Sequence, residues 1–219
     1  MYQPHVNVIG GALWTCLRAL APQRIRPARS VLLRQGDPAT HVVLLESGSA
    51  LIILAGDSGE RTLLAVRGAG ELLGELAVLD NQPRTATVIA AEDCRVRIVP
   101  ASDFLAFVDE HNLLAPLLRH AITRVRQSEA VRLELATASV PVRLASALSR
   151  LVGAASSSAS ELSVSLTQAE LSQMIGASRN AVGAALKPWR EQGWVRTASG
   201  GGLIIRNIDA IQSHTRTQS

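Results

Sequence analysis

Between Gly74 and Val88 the chain reads GELAVLDNQPRTATV, which sets the carboxylate of Glu75, the guanidinium of Arg84 and the hydroxyl of Thr85 within eleven residues. A guanidinium takes a phosphate through two parallel hydrogen bonds, and backbone N–H groups in the turn from Gly74 to Leu76 can point at the same anion. Glu75 would repel a phosphate. It suits a ribose hydroxyl, or Arg84 itself when the two side chains pair directly. A ligand carrying a phosphate beside a ribose, as a cyclic nucleotide does, matches both groups.

Other chemistries find little support in the residue types. There is no nucleophile–base pair and no phosphate loop of the nucleotide-hydrolase kind, and Glu75 beside Arg84 reads as a binding pair, so an enzyme is not expected. His5, His41, His111 and His120 are scattered along the chain and read as isolated surface residues, and no metal is expected. Cys16 and Cys94 stand far apart without a CxxC, which predicts two reduced, buried thiols rather than a disulfide or a thiolate metal site.

The elements that must position these residues follow from the periodicity. Residues 11–21 have helical spacing and end at Pro22. From Ile25 to Val99 short β-branched runs alternate with turn signals: Ser30–Leu33, His41–Leu45, Ala50–Leu54, Arg61–Val66, Thr85–Ala90 and Cys94–Val99. Seven or eight strands at such intervals predict a barrel or jelly roll. A helix is then predicted from about Asn112 to Ala138, where Leu114, Leu118, Ala121, Val125, Ser128, Arg132 and Leu135 repeat as a heptad seam, the pattern of a helix that pairs with a twin. Ser139-Val140-Pro141 reads as a hinge, with proline in the first turn of the next helix. Gly153–Ser160 reads as a low-complexity loop.

The last third has a different character. From Met1 to Ser139 there are 14 arginines against 14 carboxylates; from Val140 onward there are eight cations against four, so the whole net charge of +4 lies there. That asymmetry suits a polyanionic partner. Thr167 and Glu170 form a T-x-x-E capping box, and Gly176 closes that helix. Ser178 caps a second helix running to about Gln192, with Val182, Leu186 and Trp189 turned inward. Gly193–Arg196, a tight turn at Ser199–Gly202 and Leu203–Ile205 predict a hairpin. Two capped helices across a short turn, followed by a hairpin, have the pattern of a winged helix-turn-helix.

Two stretches carry a family resemblance. The run from Gly74 through Pro83, Arg84, Thr85, Ala86 and Thr87 resembles the phosphate-binding cassette of cyclic-nucleotide-binding domains, with glycines 36, 48, 68, 70 and 74 at the turns of their β-roll. LTQAELSQMIGASRNAVGAALKPWREQGWV, from Leu166, resembles the helix-turn-helix of the Crp/Fnr transcription regulators. Joined by a seam helix, they identify the chain as similar to that family over all but the short N-terminus and the tail after Ile208. The resemblance implies an α+β fold with a sensor domain over residues 1–111, a dimerisation helix and hinge over 112–139 and a DNA-binding domain over 140–219. Gly74, Glu75, Leu76, Ala77, Arg84 and Thr85 would hold the ligand. Arg124 matches a family arginine near the phosphate, with a solvated helix charge as the alternative. Ser128, eleven residues before Ser139, and Glu129 would meet the base; Glu129 departs from the family pattern.

For DNA the resemblance singles out Ser178, Arg179, Asn180 and Gly183 as facing the major groove, with Arg179 reading guanine. Asn180 and Ala184 depart from the best-known members. Thr167, Gln168 and Lys187 would hold phosphates or steady the helix. The implied partners are double-stranded palindromic DNA, a second copy of the chain through the 112–139 helix, and RNA polymerase. The implied effector is cAMP, with cGMP, cyclic di-GMP or no nucleotide as the alternatives. No membrane-spanning or secretory segment is apparent, so a soluble cytoplasmic protein is expected.

Overall fold

The structure, a computed structural model, describes residues 3–56, 59–154, 162–164, 166–198 and 202–217. It divides into two bodies, Met1–Gln127 and Ser128–Ser219.

The first body opens with α1 (His5–Ile9) and α2 (Gly11–Ala19). Strands β1 (Gln23–Arg26), β2 (Val31–Leu33), β3 (His41–Ser47), β4 (Ala50–Ala55), β5 (Arg61–Arg67) and β6 (Glu71–Leu73) follow. Then come a one-turn α3 (Glu75–Leu79), β7 (Thr87–Ala90), β8 (Cys94–Pro100), α4 (Ala101–Glu110) and α5 (Leu114–Thr137), whose residues from Ser128 onward belong to the second body. The strands form two antiparallel four-stranded sheets, ordered β1-β8-β3-β6 and β2-β7-β4-β5.

β3 explains why its apolar run does not alternate. Val43 and Leu45 share a core with Leu33, Ala50, Val88 and Val96, which belong mostly to the other sheet. Val42 and Leu44 instead join Trp14, Leu17, Phe104 and Leu117 beneath the helices. A strand covered on both faces has no polar side to show.

The six expected strand runs reappear as β2, β3, β4, β5, β7 and β8, with ends moved by a residue or two. β1, β6, α1 and α3 were not expected. Gln23–Arg26 alternates charge, and the other three span five residues or fewer, below the reach of a periodicity argument. Cys94 is buried, but Cys16 is exposed on α2, contrary to the expectation of two buried thiols.

α5 runs continuously across the expected seam. Leu117 and His120 are buried against the first body, whereas Leu114, Leu118, Ile122 and Val125 are all about half exposed or more. Ser128, Glu129 and Arg132 are exposed further along the helix. Among the described residues no helix is long and apolar enough to cross a membrane.

The second body comprises α6 (Val140–Ala154), β9 (Leu162–Val164), α7 (Gln168–Met174), α8 (Arg179–Glu191), β10 (Val195–Thr197), β11 (Leu203–Ile205) and α9 (Ile208–Thr217). Its strands pair antiparallel in the order β10-β11-β9. Leu144, Leu148, Leu171, Ile175, Val182, Leu186, Trp189 and Ile211 build its core. Much of the low-complexity loop, Ser165 and the turn residues Ser199–Gly201 lie outside the described residues. α9 was not expected; it packs against α6, where Gln212 Nε2 donates to Ser149 Oγ at 2.6 Å.

Candidate functional site

In the first body, side chains from four elements converge near the cassette. Gly74 precedes α3 in the left-handed region at φ +82°, and a Cβ there would meet Leu33 Cδ1 at 2.8 Å and also the Arg84 guanidinium. Only glycine lets Arg84 lie across this turn. Arg84 is buried; its Nη1 donates to the Gly74 carbonyl at 2.6 Å and its Nη2 to the His41 carbonyl. Ala77 is buried on α3, while Leu76 and Thr85 are exposed.

The expected direct pair between Glu75 and Arg84 is not formed. Glu75, 5 % exposed, instead faces Arg124 Nη1 at 3.3 Å and His5 Nε2 at 3.4 Å. The guanidinium of Arg84 is held by carbonyls on its own side of the turn, which leaves the carboxylate to cations from α1 and α5. Arg124 is therefore no solvated helix charge: its Nη2 also donates to Glu71 on β6 and lies 3.4 Å from His5 Nδ1.

The histidines are not all scattered either. His5 and His120 are both buried, their rings edge to face with centroids 4.4 Å apart. His5 is fixed by its backbone neighbourhood: Val6 N–H donates to the Gly70 carbonyl at 2.9 Å, and Leu72 N–H points at His5 Nδ1 at 3.2 Å. Gly70 makes that docking possible, since a Cβ there would strike Val6 Cγ1 at 2.6 Å. Glu71 Oε2 lies 2.5 Å from His5 Nδ1. Sequence reasoning missed His5, Glu71 and His120. One signal was available, since His120 and Arg124 are four apart on a helix and must share a face.

Electrostatics follow from this packing. Burial disfavours charge on His5, but the carboxylates of Glu75 and Glu71 outweigh it and raise its pKa. Burial likewise opposes ionisation of Glu75, yet His5 and Arg124 hold its carboxyl below the usual range. Burial, with the His5 and Arg124 cations nearby, pushes His120 down to about 4, so it is neutral at pH 7. The arrangement is a buried, charge-paired cluster that presents a carboxylate and two guanidinium groups around one turn.

In the second body the helix-turn-helix is built as its caps require. Thr167 Oγ1 accepts from Glu170 N–H at 3.2 Å, and Glu170 Oε2 accepts from Thr167 N–H at 2.8 Å. After α7, Gly176 N–H bonds to Gln173 O at 3.3 Å and Ala177 N–H to Ser172 O at 2.9 Å, the double bond of a Schellman turn. Ser178 caps α8 by accepting from Ala181 N–H at 3.2 Å. Val182, Ala185, Leu186 and Trp189 turn inward, leaving Arg179, Asn180 and Lys187 exposed, while Gln168 and Gly183 are half-buried. Arg143 Nη1 donates to the Ile175 carbonyl at 2.9 Å and so ties α6 to the turn.

Comparison with known proteins agrees with both halves. A cyclic nucleotide-binding domain matches residues 23–111, and a Crp-like helix-turn-helix domain matches residues 142–213. The CRP-like cAMP-activated global transcriptional regulator of Mycobacterium tuberculosis is 26 % identical over 194 residues, covering 87 % of this chain and 86 % of the relative. The cyclic AMP receptor protein of Thermus thermophilus is 29 % identical over 183 residues, 81 % of each chain. Among solved structures, FixK2 from Bradyrhizobium japonicum has a similar fold, with TM-score 0.74 at 17 % identity over 88 % of this chain and 96 % of that one. The c-di-GMP responsive regulator CLP of Xanthomonas campestris has TM-score 0.70 at 21 % identity, over 90 % of this chain and all of that one.

Proposed function

The chain belongs to the Crp/Fnr family of transcription regulators, and we propose that it is a cytoplasmic homodimer whose effector is cAMP and whose target is palindromic DNA. One observation carries the effector half. Arg84 lies buried across the Gly74 turn, held by main-chain carbonyls and close enough to Glu75 to feel its charge. A phosphate offers that guanidinium a stronger, charged acceptor than two carbonyls.

Arg84 and Thr85 then bind the phosphate, with the backbone of Gly74, Glu75, Leu76 and Ala77 around it. Glu75 takes the ribose hydroxyl and Arg124 orients Glu75. Ser128 and Glu129 serve the base. The exposed row Leu114, Leu118 and Val125 on α5 supplies the face for a second copy. Residues 1–111 sense, 112–139 pair and 140–219 read DNA.

On the DNA side, Ser178, Arg179, Asn180 and Gly183 at the start of α8 enter the major groove. Gln168 and Lys187 hold phosphates, and Thr167 steadies α7 through its cap. The two recognition helices of a dimer would sit one DNA turn apart, about 34 Å. The cAMP-activated relatives support this effector, and the set of Glu75, Arg84 and Thr85 supports a nucleotide over ligand-free action.

Calorimetry of the full chain with cAMP, cGMP and cyclic di-GMP, repeated on Arg84→Leu, tests the reading. Binding of cAMP that disappears in Arg84→Leu, together with salt-dependent binding to a palindromic duplex, is expected. Cyclic di-GMP binding with the same loss would replace the effector and keep the pocket. Binding untouched by Arg84→Leu, or none at all, would remove the pocket assignment.

A further inference from the structure

We propose that His5, His120 and Glu71 form a site for a first-row divalent transition ion such as Zn²⁺, independent of the nucleotide reading. One donor atom from each lies within 4.8 Å of the other two, and all three residues are more than nine-tenths buried. Two imidazoles and one carboxylate are an established donor set for zinc and for non-haem iron. The two histidines lie outside both matched domains, 23–111 and 142–213.

The second observation is an orphan. His120 Nε2 is buried and has no hydrogen-bond partner. Buried ring nitrogens are normally satisfied.

A third observation concerns His5 Nδ1. It is approached by Leu72 N–H at 3.2 Å and by Arg124 Nη2 at 3.4 Å, which treats it as an acceptor. It also stands 2.5 Å from Glu71 Oε2, another acceptor. At this distance the two share a proton, which a metal would have to displace, because two ligands of one first-row ion stand about 3 Å apart or more.

The site would join α1, β6 and α5. Coordination by Glu71 competes with Arg124 Nη2 for the same carboxylate and leaves Arg124 its contact with Glu75. No thiolate takes part: Cys16 is exposed and Cys94 lies in the core between the sheets. The preferred ions are therefore those that accept nitrogen and oxygen ligands.

The probe is Co²⁺, titrated into the chelator-treated full chain and followed by its visible ligand-field spectrum and by metal content after dialysis. One Co²⁺ per chain, displaced by Zn²⁺, is expected. His5→Ala and His120→Ala should each weaken binding at least about tenfold, since even loss of an outer-shell partner costs that much. If either variant fails to fold, proton NMR of the Co²⁺-loaded wild type decides. Two hyperfine-shifted exchangeable imidazole protons support the site and their absence overturns it. Absence of Co²⁺ binding, or binding unchanged in both variants, also overturns it.

Discussion

Replacing Arg124 with methionine separates a charge-paired cluster from a surface salt bridge. The side chain is 17 % exposed and serves two carboxylates, Glu71 at 0 % and Glu75 at 6 %, the latter at 3.3 Å. Removing one partner of a buried pair costs about 3–5 kcal/mol, because the other charge stays behind unpaired. Here two carboxylates are left behind, but His5 still faces both of them and water reaches part of the guanidinium. The expected loss is therefore about 2–4 kcal/mol. The assay is hydrogen exchange followed by mass spectrometry on the full chain, read at the amides of β3 and β6, where Val43 pairs with Leu73. A loss of about 3 kcal/mol speeds exchange there by roughly a hundredfold, and α6 and α8 in the second body serve as the unaffected reference. Adding Glu71→Gln should restore part of the loss, with a coupling of about 1–3 kcal/mol. A change below about 0.5 kcal/mol would refute the reasoning, since that is the size of an exposed pair.

Further outcomes are expected elsewhere. Burial pushes the Glu46 carboxyl up, but hydrogen bonds from Gln23, Arg97 and Arg18 outweigh it and hold it below the ordinary value. Its ionised form therefore stabilises the first body above the unfolded carboxylate pKa, and that contribution fades as pH falls through the lowered folded value. Urea titrations should show Glu46→Gln costing about 1–2 kcal/mol at pH 7, with the difference vanishing in acid. Gly74→Ala, forced into left-handed backbone against Leu33 and Arg84, should destabilise the first body by about 1–2 kcal/mol and weaken nucleotide binding in calorimetry. Arg179→Ala should lose about 1–3 kcal/mol of operator affinity in gel-shift titrations and relax preference at one base pair. Burial, aided by the Glu92 charge, pushes the Cys94 thiol to about 11. At pH 8 iodoacetamide should modify it at least about a hundredfold more slowly than an ordinary thiol, with Cys16 reacting first.

Most of the frame was legible because it rests on local signals. The capping box at Thr167 and Glu170, the Ser178 cap and the Gly176 turn are written in adjacent residues and appear as read. The extent of α5 as one helix was legible for the same reason. The cluster of ion pairs was not, because it is assembled by residues 66 apart, as in His5 and Glu71, or 119 apart, as in Arg124 and His5. No spacing rule reaches that far. The error over Glu75 and Arg84 has the same origin. Nine residues on a turn bring two side chains near one another, but the Gly74 and His41 carbonyls compete for the guanidinium, and only the fold reveals them.

On the proposed reading α5 joins recognition to response through one side chain. Leu117, His120 and Arg124 fall at i, i+3 and i+7 on its inward face, while Leu114, Leu118 and Val125 stay exposed. A helix rises only about 1.5 Å per residue and is stiff along its length, so a displacement at Arg124 carries the exposed row with it. Arg124 is held by Glu71 from β6 and Glu75 from α3. A ribose hydroxyl that re-engages Glu75 changes one of those two holds. The resulting shift in dimer or DNA affinity is bounded by the difference in ligand affinity between the two arrangements, and a tenfold shift needs about 1.4 kcal/mol. A single hydrogen bond to a charged group contributes about 1.5–3 kcal/mol. Re-partnering of Glu75, set against loss of its Arg124 contact, is on the scale that a tenfold response requires. By reciprocity, on that reading operator DNA changes nucleotide affinity by the same factor.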